Sequence, residues 1–135
     1  MSSNTDQPVI VIRPSLRASV DPHLRDSAYE LLGELKADGH DAKLEFRNPG
    51  QFSAQNSLET IAIFIAGAVS TKLLEYTVER ILVNTKSWLK KRFAKDKATG
   101  AQYVTIYGPD NKPLKNVLAK NADQILDITP HRDPD

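Results

Sequence analysis

The chain has 135 residues, 40% hydrophobic and 26% charged, which fits one compact domain and excludes a disordered or collagen-like chain. It has no cysteine, which rules out disulfides, thiolate metal sites and a Cys nucleophile. The net charge of +1 hides an uneven distribution: residues 1–57 sum to −2 and residues 58–135 to +3, with six cations between Lys86 and Lys97 against Asp96 alone.

The first residues, MSSNTDQP, carry neither the basic start nor the apolar stretch of a secretory signal. The expected compartment is the cytoplasm, with a membrane surface as the alternative. Residues 1–7 and the Pro- and charge-rich 129–135 are expected to be flexible, leaving a single domain over 8–128.

Val9-Ile10-Val11-Ile12 is a β-branched run closed by Pro14, the pattern of a strand buried on both faces and central in a sheet. Asp21 and Pro22 supply an N-cap and a first-turn proline, and Leu24, Ala28, Leu31, Leu32 and Leu35 recur at helical spacing. Gly39 stands where a left-handed C-cap residue is wanted, and Ala42–Arg47 alternates as a strand. Strand, helix and strand form a unit whose two strands run parallel if they are neighbours.

Asn48-Pro49-Gly50 breaks the chain, and Gln51–Gln55 is a polar linker. Asn56 with Glu59 reads as a capping box opening a helix that meets no proline before Pro109 and runs to about Ala94. A helix over 57–94 would exceed 50 Å at ~1.5 Å per residue, so a bend or break is expected, with Gly67 and Asn84-Thr85 its weakest places. Its first turns, Thr60–Thr71, are uncharged and mostly apolar. Twelve residues reach only ~18 Å against a hydrocarbon core of ~30 Å, so this window cannot span a bilayer. Two readings fit it: a core helix covered on both sides, or a helix lying in a membrane interface. Ala62, Ala66 and Ser70 give a small-residue face suited to close packing on the sheet or to self-association.

Tyr103–Tyr107 alternates as a strand, Gly108–Lys112 is a turn, Leu114–Lys120 returns as the second strand of a hairpin, and Asn121 caps a last short helix through Gln124, Ile125 and Leu126. The expected fold is therefore a two-layer α/β domain of order β-α-β-α-β-β, with one long, strongly hydrophobic helix and a C-terminal β-hairpin.

No motif for catalysis, metal or cofactor binding occurs. His23, His40 and His131 lack ligand spacing, and HExxH, GxSxG, GxGxxG and P-loop patterns are absent, so neither catalytic residue nor metal nor cofactor is assigned. Asp26, Glu30 and Glu34, on one helix face, read as a solvated outer surface. Tyr103 and Tyr107 share a strand face, but Ile106 stands where an RNA-binding sheet would carry a second aromatic. Val9–Ile12, read as the neighbouring strand, adds none, so nucleic acid is not an expected partner.

Two surfaces are candidates for binding. An apolar stripe of Leu74, Val78, Ile81, Leu82 and Trp88 on a helix longer than its domain would dock another protein or another copy. Lys86, Lys90, Lys91, Arg92 and Lys95, interleaved with Trp88 and Phe93, form a basic helix end. It is suited to an anionic membrane surface or to complementing the helix dipole.

The succession of strand, helix, strand, an apolar segment reading TIAIFIAGAVSTKLLEYTVERIL, a basic stretch and a hairpin reading VTIYGPDNKPLKNVL resembles the effector-associated constant component families of bacterial conflict systems. The likeness spans about residues 8–126, with a longer and more lysine-rich helix end here than the family's arginine-rich one. It implies a small non-catalytic α/β domain beside an effector such as a protease or NTPase. The expected function is a partner-binding adaptor in bacterial defence or signalling, and the alternative is a peripheral membrane protein using the apolar helix and its basic end.

Overall fold

The computed structural model describes residues 7–46, 59–67, 69–95 and 100–128. Strand β1 (Val9–Pro14) leads through a 3-10 turn (Leu16–Ser19) into helix α1 (Pro22–Ala37) and strand β2 (Asp41–Leu44). Strand β3 (Glu59–Ala66) is followed by helix α2 (Thr71–Lys95) and strands β4 (Gln102–Tyr107), β5 (Pro113–Asn121) and β6 (Gln124–Ile128). The order of the single six-stranded sheet is β2-β1-β3-β4-β5-β6.

The first unit forms as its sequence predicts. Asp21 caps α1 by accepting the His23 N–H at 2.9 Å, Pro22 opens the helix, and Gly39 leaves it at φ +93°. β2 then pairs parallel to β1, with Ile10 opposite Ala42 and Ile12 opposite Leu44. The break at 48–50, the polar linker 51–55, Asn56, the tail 129–135 and all of the flexible segment 1–7 but Gln7 lie outside the described residues; Gln7 donates to the Gly39 carbonyl at 3.0 Å.

The long apolar helix is not formed. Glu59–Ala66 is a strand, antiparallel to β1 and parallel to β4. Ile61, Ile63 and Ile65 are buried on one face while Ala62 and Phe64 point to the other. Gly67, at φ +111°, breaks the chain direction. Ser70 starts α2, its Oγ accepting the Leu73 N–H at 3.2 Å and its carbonyl the Leu74 N–H at 2.9 Å. The chain therefore repeats one device, with β1-α1-β2 and β3-α2-β4 as two parallel units joined back to back through the antiparallel β1/β3 pair. A second correction falls at the end: Asn121 caps no helix. Its Oδ1 accepts the Asp123 N–H at 2.9 Å, making a tight turn into β6, which pairs antiparallel with β5.

Both helices pack on one sheet face. The core joins Ile10, Ile12, Ile61, Ile63, Ile65, Val104, Ile106 and Val117 from the sheet to Leu31 and Leu35 of α1 and Val78, Ile81, Leu82, Trp88, Leu89 and Phe93 of α2. Each fully buried aliphatic side chain contributes about 1.5–3 kcal/mol. Trp88 ties the helices together by donating its indole N–H to the Ser27 carbonyl at 2.9 Å. No described helix is long and apolar enough to cross a membrane.

Candidate functional site

The apolar stripe expected to dock a partner is core. Val78, Ile81, Leu82 and Trp88 are buried against the sheet and α1, and Leu74 packs at the margin of the same cluster. The physical reason is the identity of β3. With residues 59–66 in the sheet, the helix starts only at Thr71, and the sheet and α1 cover its apolar stripe.

The basic helix end is largely neutralised within the chain. Lys86 pairs with Asp127 at 2.8 Å, Lys91 with Glu34 at 2.5 Å and Lys95 with Glu30 at 2.9 Å. Arg92 is buried, and Lys90 is exposed. Glu30 and Glu34 thus face the cations of α2 rather than forming a purely solvated surface. Each such exposed pair contributes little, about 0–1 kcal/mol, but together they lower the field that an anionic surface would meet.

A polar cluster closes the junction of the two units. Arg80 donates from Nε to Asp38 Oδ2 at 3.0 Å and from Nη2 to Oδ1 at 2.9 Å, and Asn84 Nδ2 donates to Oδ2 at 3.0 Å. These donors hold the Asp38 carboxyl down at about 2. His40 Nε2 lies 3.4 Å from Asp38 Oδ2; its burial lowers its pKa, while Asp38 pulls the other way. A pocket of about 220 Å³ opens beside these groups, with Gln7, Leu73, Tyr76 and Thr77 also on its wall. Because Arg80 and Asp38 use their principal hydrogen bonds on each other, the cluster acts first as a clasp between α1 and α2. Among the described residues no group of three side chains is placed to hold a metal ion.

The sheet face opposite α1 and α2, free of helix among the described residues, offers a different surface. Strand register aligns three cross-strand rows on it. One runs Thr60, Tyr103, Leu118, Leu126; the next Arg13, Ala62, Thr105, Asn116; the third Val11, Phe64, Tyr107, Pro113. Phe64 and Tyr107 stack with centroids 4.6 Å apart and planes 11° apart. The Arg13 guanidinium lies 5.0 Å from the Phe64 centroid and is held by Glu45 at 3.0 Å. Arg13 in turn keeps the Glu45 carboxyl below its ordinary pKa. Between the two larger rows stand the smaller side chains of Ala62 and Thr105. In the same row Asn116 is buried, with an Oδ1 that has no hydrogen-bond partner among the described residues.

No protein family, curated protein or solved structure matches this chain.

The Tyr103–Tyr107 face was legible in the sequence, and Phe64 was not, because it lies in the window read as helix. The neighbour of β4 is β3, not β1, so the aromatic expected to be missing is present. Its placement still differs from a base-stacking platform. Phe64 and Tyr107 turn ring faces toward each other, and Arg13 covers the far side of Phe64. What rises from the sheet is a ridge of ring edges.

Proposed function

We propose that this chain is a non-catalytic partner-binding module that docks a protein on its helix-free sheet face, around Phe64, Tyr103, Tyr107 and Leu118. The observation that carries this reading is the Phe64–Tyr107 stack, one row away from the buried Asn116 Oδ1, which has no hydrogen-bond partner among the described residues. Large, rigid aromatics surrounding a desolvated polar acceptor suit a protein surface that brings an apolar side chain and a hydrogen-bond donor. Stacked rings with occupied faces suit unstacked bases less well. The adaptor role in bacterial defence or signalling, which the likeness to effector-associated constant components implies, is compatible with such a face. It moves the contact from α2 to the sheet.

The test is co-expression with the products of the genes adjacent to its own, comparing the native chain with Tyr103→Asp and with Asn116→Leu. We expect one product to co-purify with the native chain and both variants to lose it while circular dichroism shows an unchanged fold. Undiminished capture by the folded variants would overturn the assignment of the face.

A further inference from the structure

The two edges of the sheet are built differently. β2, one edge strand, has four residues and carries two exposed charged side chains, Asp41 and Lys43; short, charged edge strands resist pairing with other chains. β6 has five residues, Gln124-Ile125-Leu126-Asp127-Ile128, with neither proline, glycine nor lysine. Its single charge, Asp127, is bound to Lys86, and Leu126 is 50% exposed. Alternate N–H and C=O groups of β6 face away from β5, and among the described residues no strand pairs with them.

We propose that β6 pairs antiparallel with β6 of a second copy of this chain, about a two-fold axis through Leu126. Strands β4, β5 and β6 already alternate in direction, so an added antiparallel strand continues the pattern. The register follows from side-chain chemistry. Centring on Leu126 engages all five residues, placing Leu126 against Leu126 of the partner subunit, Ile125 against the partner's Asp127 and Gln124 against the partner's Ile128. Centring on Asp127 would oppose two carboxylates directly, which is destabilising. Centring on Ile125 would leave Asp127 and Ile128 without strand partners. A register through a half-residue would turn the helices of the two copies to opposite sides.

In the chosen register the row Tyr103, Leu118, Leu126 runs on into the same row of the partner, and the exposed Leu126 is covered by its own symmetry mate. The pairing is isologous and closes at two copies. It stands independently of what occupies the sheet face.

The absence of cysteine gives a direct test. Opposed residues in an antiparallel pair have Cα atoms about 4.5–5.5 Å apart, within the ~4.4–6.8 Å that a disulfide spans. Leu126→Cys should become a covalent dimer under mild oxidation, while Val83→Cys, equally exposed at 50% on α2, should form no covalent dimer. By sedimentation velocity the native chain should dimerise reversibly with concentration. Leu126→Glu and Leu126→Lys should each be monomeric alone and re-form a dimer when mixed. A native chain that stays monomeric at all concentrations, a dimer untouched by Leu126→Glu, or equal cross-linking through Val83→Cys would each overturn the proposal.

Discussion

Arg80 holds Asp38 through two hydrogen bonds of 3.0 and 2.9 Å across 42 residues of sequence. Asp38 is the C-cap of α1, so this pair fixes the end of the first strand-helix-strand unit to the helix of the second. Asn84, one helical turn beyond Arg80 and itself buried, adds a third donor. The clasp is directional: a planar fork meets both carboxylate oxygens, and a point charge could satisfy only one at a time.

Arg80→Lys should therefore lower the melting temperature although the charge is kept. Acid should act through the same pair. The Asp38 carboxyl sits at about 2 in the folded chain against an ordinary 3.8, so between those values the unfolded chain binds more protons and stability falls as pH falls. The contribution is complete above 3.8 and lost on descent toward 2. Thermal melts across that range should show a shallower acid slope for Asp38→Asn than for the native chain.

His40 gives a second, separate window. Burial disfavours its charged form more than Asp38 favours it, and its pKa lies below the ordinary 6.5. The unfolded chain takes up this proton first on acidification, so the stability it contributes is complete above 6.5 and is lost as pH falls through the folded value. His40→Gln should flatten the melting-temperature profile below pH 6.5, leaving the lower Asp38 window in place. An unaltered profile would show that the imidazole is freely solvated.

The sequence made β1, the capped α1, parallel β2 and the β4–β5 hairpin legible, because each carries punctuation as well as period: Pro14, Asp21-Pro22, Gly39, and Gly108–Lys112. β3 was hidden for the opposite reason. Its second face carries Ala62, Phe64 and Ala66 rather than polar residues, so the two-residue period of Ile61, Ile63 and Ile65 has no contrast. The helix that follows extends the apolar stretch without a proline. Once β3 is misread, Phe64 is missing from the aromatic face and Leu74–Trp88 looks too long to be covered. Leu126 was lost through Asn121, whose side chain can cap a helix or close a turn and does the latter.

Core placement of the α2 stripe makes a graded prediction. Ile81→Asp should unfold the chain, since it buries an unpaired carboxylate in an apolar cluster. Trp88→Phe keeps most of the packing but loses the hydrogen bond to the Ser27 carbonyl, which keeps its place in the α1 ladder, at a cost of about 0.5–1.5 kcal/mol. Chemical denaturation reads both. A folded Ile81→Asp protein with altered self-association would show instead that the stripe is a surface.

Gly67 and Ser70 test the strand-to-helix switch that replaces the expected continuous helix. A Cβ built at Gly67 would meet only the Pro8 Cα, at 3.9 Å, and the residue is exposed, so overpacking is not the issue. Its φ of +111° is one that side chains rarely adopt, and Gly67→Ala should cost about 1–3 kcal/mol in backbone strain alone. Gly67→Leu should cost at least as much as Gly67→Ala, since the same backbone strain applies to any side chain there. Ser70→Ala removes the acceptor for the Leu73 N–H and should cost about 1 kcal/mol. Had the segment been one helix, Gly67→Ala would raise stability by about 1 kcal/mol through helix propensity and Ser70→Ala would be near neutral. Equilibrium denaturation of the three variants separates the two cases by the sign of the Gly67→Ala effect.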